Sequence, residues 1–374
     1  MYLIKQIPED FCVTERTSVQ PLAHGAYRYF WLGKRNRTTL DALRAVAAAL
    51  RIPAQSLGYA GNKDKRAVTR QLCSAFHVSR DRIERVRLDG IGLEFYGSGD
   101  APVSLGDLAG NSFVVTVRNL DEAMVRNLDD AGAEKLAGSA ETRMPAGAIR
   151  AQARALQVIN YFDEQRFSES NIRVGKLLVL KQFKEAVALL MQHGQDGALL
   201  EKHLKACPHD YVGALRLLPR KILLLLVHSY QSWLFNETAA MLVKGETDAC
   251  VEVPYRFGAF VFPLEPVQNV MVPIPGFGTE FDGSAAAGIV QALLVKEGVT
   301  LRDFIIRQLP EAAAEGSSRA LAVAVEGLHA VFGDDELNAG RKKATLSFTL
   351  PKGSYATVAV KRLFAVGGGS PASS

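Results

Sequence analysis

The chain is poor in cysteine. Cys12, Cys73, Cys207 and Cys250 are the four it has, scattered over 374 positions with no CxxC pair. That spacing argues against a disulfide framework and against the common zinc sites. Histidine is scarce as well, at seven residues. His203 and His209 flank Cys207, which reads as a ligand cluster or, more blandly, as a polar surface loop. Long apolar runs are missing: ILLLLV at 222–227 is far short of the ~18 residues needed to cross a bilayer. The opening MYLIKQIPEDF lacks the apolar centre of a signal peptide. The P-loop spacing GxxxxGK[ST] is also absent. These absences point to a cytoplasmic protein with no membrane anchor, in a reducing compartment.

What is present is ordinary in bulk. The chain is 48% hydrophobic and 22% charged, as a globular protein is. Its length suggests two domains, or one with a large insertion. A net charge of +5 permits a polyanionic partner without requiring one.

Texture varies along the chain. Phe11, Val13 and Glu15 alternate with their neighbours, and YRYFWL at 27–32 is rich in strand formers. Thr38 or Thr39 can cap a helix whose Leu40, Leu43, Val46, Ala47 and Leu50 share a face, with Pro53 stopping it. Strands are expected at 71–78 and 86–96. In LAGNSFVVTVR at 108–118, Gly110–Asn111 reads as a turn entering a strand, with Phe113, Val115 and Val117 on one face. From Ala148 to about Leu204 the pattern reads helical, and 221–243 is the strongest helix, apolar nearly all round. Residues 250–283 turn strand-like, 284–308 suggest helices, and strands return from about 318. FTLPKGSYATVAVKRLF at 348–364 reads as strand, turn and second strand. Sheet, helical block and sheet again describe an α+β domain with another domain inserted into it.

Several stretches carry chemistry. In GYAGNKDKRAVTRQ at 58–71, Asp64 sits among Lys63, Lys65, Arg66 and Arg70. Those cations favour an ionised carboxylate, competent as nucleophile or base, and suit a phosphate backbone. The alternative is a solvated turn with Asp64 capping a short helix through Arg66, Ala67 and Val68. Asn111 can read a base edge and Phe113 can stack, or both belong to a hairpin and core. NYFDEQRFS at 160–168 joins three aromatics to Gln165 and Arg166, the composition of a nucleic-acid surface or of a helix end packed into a core. Gln231 and Asn236 are polar groups in an apolar helix and need partners. Tyr355 is a core tyrosine or a platform for a flipped base.

Together, PEDF at 8–11, AGNKDKRAVTRQ at 60–71, GNSF at 110–113, NYFDEQRF at 160–167, QSWLFN at 231–236 and LPKGSYAT at 350–357 resemble the TruD family of tRNA pseudouridine synthases. The resemblance spans nearly the whole chain, and AGxKDxxAxTxQ is its most specific part. It implies a pseudouridine synthase catalytic domain with a mixed, mostly antiparallel sheet, interrupted by an inserted TRUD-type domain. The expected division is 1–148 and 317–366 for the catalytic domain, 149–316 for the insertion and 367–374 for a flexible tail. The implied reaction turns uridine into pseudouridine in tRNA, at position 13, without cofactor or metal; a monomer is expected.

Asp64 matches the family's catalytic aspartate. Asn111 and Phe113 match the pair of its GNxF element, Tyr355 an aromatic beside the target base, and Lys5 a basic residue ahead of PEDF. Lys63 adjoins the aspartate, and Gln165 and Arg166 match a QRF element; all are expected to bind substrate. Relatives carry glycines where Asp163 and Ser168 stand, and phenylalanine at Tyr355. Asp64 would add at C6, attack C1′ or remove the 2′ proton. A non-catalytic RNA binder and an enzyme for a phosphorylated metabolite are the rival readings.

Overall fold

A computed structural model describes residues 1–133, 148–150, 156–164, 167, 170–193 and 197–366. Gln165, Arg166, Ser168 and the 367–374 tail lie outside the described residues. The chain divides into two compact units, Met1–Leu156 with Ala324–Ser374, and Gln157–Val323.

The first unit opens with β1 (Leu3–Ile4), a 3-10 turn at Pro8–Asp10, β2 (Phe11–Thr17), β3 (Tyr27–Arg35) and α1 (Thr39–Leu50). Then come β4 (Leu57–Tyr59), β5 (Val68–Phe76), α2 (Arg80–Glu84), β6 (Ile91–Gly99), β7 (Leu108–Leu120), α3 (Glu122–Ala133) and β8 (Ala148–Arg150). Thr38 caps α1 by accepting from Asp41 N, and Arg51 ends it in the left-handed region at φ 50°. Thr39, Ala42, Leu43, Val46, Ala47 and Leu50 are buried, whereas Leu40 points outward.

The second unit begins with β9 (Leu156–Ile159) and four helices, α4 (Asn171–Val179), α5 (Phe183–His193), α6 (Gly197–Ala206) and α7 (Tyr211–Arg216). These helices share a core with α8 (Arg220–Glu246), which is followed by β10 (Cys250–Tyr255), β11 (Gly258–Pro263), β12 (Met271–Ile274), α9 (Ala285–Glu297) and β13 (Ser317–Ala320). Leu223, Leu226, Val227, Tyr230 and Leu234 put one stripe of α8 into a core, and Ser229, Ser232, Phe235, Asn236 and Ala239 bury other sides of it, as its all-round apolar pattern predicts. Asn236 resolves its need for partners within this unit: Oδ1 accepts from Phe162 N and Nδ2 donates to Phe162 O, both at 2.9 Å. Tyr161 and Phe167 are buried among the aromatics of β10 and β11, the core alternative for that stretch.

The chain returns to the first unit through β14 (Ala322–Asp334), β15 (Lys342–Pro351) and α10 (Ala356–Val366). The sheet order there is β6-β3-β5-β2-β7-β15-β14-β8, with β1 on β7 and β4 on β5. Only β2 and β5 run parallel among these pairings, so the sheet is mixed and mostly antiparallel, as expected.

Three local expectations fail for identifiable reasons. The helical pattern from Ala148 gives way to β8 and β9, because Ile149, Val158 and Ile159 are β-branched and β8 pairs with β14. The second strand after Pro351 is instead α10. Val358 and Val360 alternate as in a strand, but residues 356–362 are buried without a break, so no two-residue alternation of exposure exists there. Gly110–Asn111 is not a turn but the interior of β7, where Gly110 faces Pro351 of β15 and Arg16 of β2. A Cβ on Gly110 would stand 2.4 Å from Leu350 O. Gly110→Ala should therefore destabilise the chain by about 2 kcal/mol or more, read as a lowered urea midpoint; an unchanged midpoint contradicts the packing described.

Candidate active site

Asp64 lies in the irregular segment between β4 and β5. It caps no helix: residues 61–64 have no regular structure and 65–67 only bend. Two sets of contacts fix this segment. Thr39 Oγ1, in the first turn of α1, accepts from Lys63 N at 2.9 Å and donates to Gln71 Oε1 at 3.0 Å. Gln71 Nε2 in turn donates to Gly61 O at 2.9 Å.

The second set consists of buried lysines. Lys34 of β3, 2% exposed, donates to Asp64 O and to Arg37 O, both at 2.7 Å. Lys63 Nζ pairs at 2.6 Å with Glu15 Oε2, whose side chain is fully buried. Glu15 Oε1 accepts from Leu72 N of β5 at 3.2 Å. The catalytic candidate thus hangs from the sheet by its own carbonyl and by its neighbour's ammonium.

The cation that meets the carboxylate is Lys5, whose Nζ stands 2.6 Å from Asp64 Oδ2. Lys5 has φ +58°, a left-handed conformation uncommon for a side chain with a Cβ. It bends the chain between β1 and the 3-10 turn. Its Nζ also lies 4.0 Å from the centroid of the Phe11 ring, within cation–π range. Three of the four sequence-adjacent cations go elsewhere. Lys63 pairs with Glu15, Arg66 donates to Gln6 O at 2.6 Å, and Arg70 pairs with Glu94 at 2.7 Å.

Strand register puts the remaining candidates on the same face. Val13 of β2 pairs with Thr69 of β5 and Phe113 of β7, and Phe113 with Phe348 of β15. Thr69 pairs with Lys34. Side chains two apart share a face, so Phe11, Glu15, Lys34, Gln71, Asn111, Phe113 and Phe348 do so. Phe113 stacks on Phe348 with centroids 5.5 Å apart and meets the Phe11 edge at 6.1 Å. Asn111, opposite Glu15 and Leu350, has a buried Oδ1 without a hydrogen-bond partner among the described residues. Such a group is rare without a ligand or water to meet it. Tyr355 is half-buried at the start of α10, where its carbonyl accepts from Val358 N and Ala359 N. It follows the turn that leaves β15 beside Gly110. Asp64, Lys5, Lys63, Asn111 and Phe113 are therefore joined through one sheet face, with Tyr355 at its margin. His203 bonds to Asp210 at 2.9 Å rather than gathering ligands with Cys207.

Sequence reasoning missed Lys34 and Gln71, and it did not assign Glu15 a role. The available signal was a charged or amide side chain in phase with Phe30 and Leu32, or with Phe11 and Val13, on an inward-facing stripe.

Comparisons with known proteins identify the family. The family model described as tRNA pseudouridine synthase D (TruD) matches residues 2–201, 197–252 and 266–363. A Methanosarcina mazei protein named "Probable tRNA pseudouridine synthase D" is 31% identical over 97% of this chain and 93% of its own length. The tRNA pseudouridine synthase D of Aquifex aeolicus is 27% identical over 96% and 97%. A crystal structure of a Methanosarcina mazei protein assigned to the same family superposes with TM-score 0.69 at 28% identity, covering 96% of this chain and 93% of the other. The fold is that of a pseudouridine synthase, an isomerase. Within that class, the chain belongs to the TruD family of tRNA pseudouridine synthases.

Burial holds Lys34 down at about 8, against the pull of Asp64 upward, with Lys63 adding a smaller push down. The unfolded chain keeps this proton up to the ordinary lysine value of 10.5. Between those values the unfolded state binds more protons, so stability gains from Lys34 as pH rises. Unfolding free energy, measured from pH 7.5 to 10.5, should show this rise in the wild type and lack it in Lys34→Met. A difference of the opposite sign would contradict the burial of a charged lysine.

Proposed function

We propose that this enzyme isomerises uridine to pseudouridine in tRNA, with position 13 as target, Asp64 as catalytic residue and the target base extruded from its stack. The observation that carries this reading is the Lys5–Asp64 pair at 2.6 Å, beside an aromatic layer of Phe11, Phe113 and Phe348. Residues 1–148 and 317–366 form the catalytic domain and 149–316 the TRUD-type insertion, in a cytoplasmic monomer. Among the described residues, no helix is long and apolar enough to cross a membrane.

The reaction breaks the C1′–N1 bond, turns the uracil and joins C1′ to C5. N1 ends protonated and the C5 proton is released. A stacked base hides these atoms, so extrusion into a pocket precedes the chemistry. Lys5 occupies Asp64 Oδ2, leaving Oδ1 to act on the nucleoside. Asn111 Oδ1 accepts from a uracil N–H, which supplies the partner it lacks. Phe113 and Tyr355 supply the apolar walls that hold the detached base. Holding it close keeps recombination effectively intramolecular. Lys63 acts through Glu15, as a positioning residue.

Asp64→Asn should lower tritium release from C5-labelled uridine in tRNA by at least ~10³-fold, with tRNA binding largely retained. Full turnover by that variant refutes the assignment. Binding of wild type to tRNA should weaken steeply with added salt, because cation contacts release counterions; a flat salt response speaks against a phosphate-dominated footprint.

A further inference from the structure

The second unit contains a cavity of about 310 Å³ beside the middle of α8. Phe162, His228, Gln231 and Ser232 form its inner wall, and Glu315 and Ser317 its rim. Two of these are polar groups in a core. Gln231 is 4% exposed and Ser232 2%. Asn236, one turn on, uses both ends of its amide on Phe162. Gln231 uses only one: Nε2 donates to Pro275 O at 2.7 Å. Its Oε1 and the Ser232 hydroxyl have no hydrogen-bond partner among the described residues. Both side chains are largely buried, yet these two oxygens are not sealed from solvent, so on the cavity wall they are open to a polar ligand.

The wall is rigid. The Arg319 guanidinium lies 4.3 Å from the Phe162 ring centroid and bonds to Asn160 O and Oδ1 at 2.8 and 2.6 Å. At the rim, Gly276 and Gly316 let two backbone segments touch. A Cβ on Gly276 would stand 2.2 Å from Gly316 N, and Gly316 holds φ +95°.

We propose that this cavity binds an extruded nucleobase bearing an exocyclic amine, distinct from the uracil that reacts at Asp64. The inference rests on RNA being the substrate. A flat ring fits against the Phe162 face, as unstacked bases do on aromatic side chains. Gln231 Oε1 and the Glu315 carboxylate are acceptors, so they match a base edge rich in N–H donors. Ser232 Oγ can donate to a neighbouring ring nitrogen or carbonyl. Uracil, with one N–H on its pairing edge and two carbonyls, meets these acceptors poorly. Cytosine, adenine and guanine each bring an amino group.

Two measurements on the full-length protein test this. In calorimetric titrations, GMP, CMP and AMP should separate, at least one binding ~10-fold more tightly than UMP. Glu315→Gln should erase that preference; Glu315 is exposed, so the substitution leaves the core intact. In tritium release from tRNA, Glu315→Gln and Ser232→Ala should each raise KM by ~10-fold while kcat stays at the wild-type value. Equal binding of all four mononucleotides, or unchanged KM in both variants, overturns the proposal. The mononucleotide ranking needs no turnover. A wild type that releases no tritium would therefore refute the proposed reaction while the ranking still decides the fate of the pocket.

Discussion

The site depends on a carboxylate that water cannot reach. Glu15 lies within the sheet with its side chain fully buried, and Lys63 reaches it at 2.6 Å. Removing such a charge from water costs several kcal/mol, and only close pairing with further hydrogen bonds offsets it. Leu72 N supplies one of those bonds. The pair cannot open without leaving a buried charge, so Lys63 is held down on the sheet. Asp64 follows it in sequence and is held at its own carbonyl by Lys34. The stretch between β4 and β5 has little regular structure, yet its backbone is pinned at Gly61, Lys63 and Asp64.

The same strategy recurs at the far end of β7. Arg118 is buried and bonds to Asp10 at 2.7 Å and Asp335 at 2.8 Å, with Glu336 at 3.0 Å on the outside. Asp10 belongs to the turn between Lys5 and β2, and its Oδ2 also accepts from Ile7 N at 2.9 Å. Arg118 thus ties that turn to the β14–β15 hairpin and fixes the path that Lys5 must take. Burial alone would lower the pKa of Arg118, but the hydrogen bonds it donates to Glu336, Asp10 and Asp335 more than compensate, and its guanidinium is held well above the usual range. Asp335 is correspondingly pulled down to about 2, despite burial, by the Asn119 amide, Asn338, the Leu337 amide and Arg118. Two buried ionic anchors, one beneath Asp64 and one behind Lys5, define the approach of the two side chains.

Much of this was legible in the sequence and some was not. The alternation of Phe11, Val13 and Glu15 gave β2 and its inward face correctly. The cap at Thr38 and the buried course of α8 also follow from local chemistry. The motif set gave the family and the sheet type. Two failures share a cause: residues 148–159 and 356–366 contain β-branched and alanine residues that satisfy helical and strand periods alike. Pairing with β14 decided the first and burial on all sides accompanies the second, and neither is a local property. Gly110 was misread because a glycine in a strand interior and a glycine in a turn look alike until the neighbouring strand is known. Gln165 and Arg166 lie outside the described residues, so their expected role has no structural counterpart.

The charge reading of Asp64 shows the limit most clearly. Its neighbours Lys63, Lys65, Arg66 and Arg70 suggested that adjacent cations support the carboxylate. Lys63, Arg66 and Arg70 are instead committed to other partners, and the ammonium that meets the carboxylate comes from Lys5, 59 residues away. Sequence adjacency on irregular backbone says little about direction, because no fixed period relates successive side chains there. On strands it says a great deal. Lys34 and Glu15 were locatable by phase alone, as charges on stripes otherwise filled by Phe30 and Leu32 or by Phe11 and Val13. Their burial also explains why they and Asp64 differ in exposure: the groups that hold the backbone are sealed in, whereas the Asp64 side chain remains 37% exposed. A carboxylate that must meet an RNA nucleoside needs such access, and the sealed cations beneath it provide the fixed footing from which it can act.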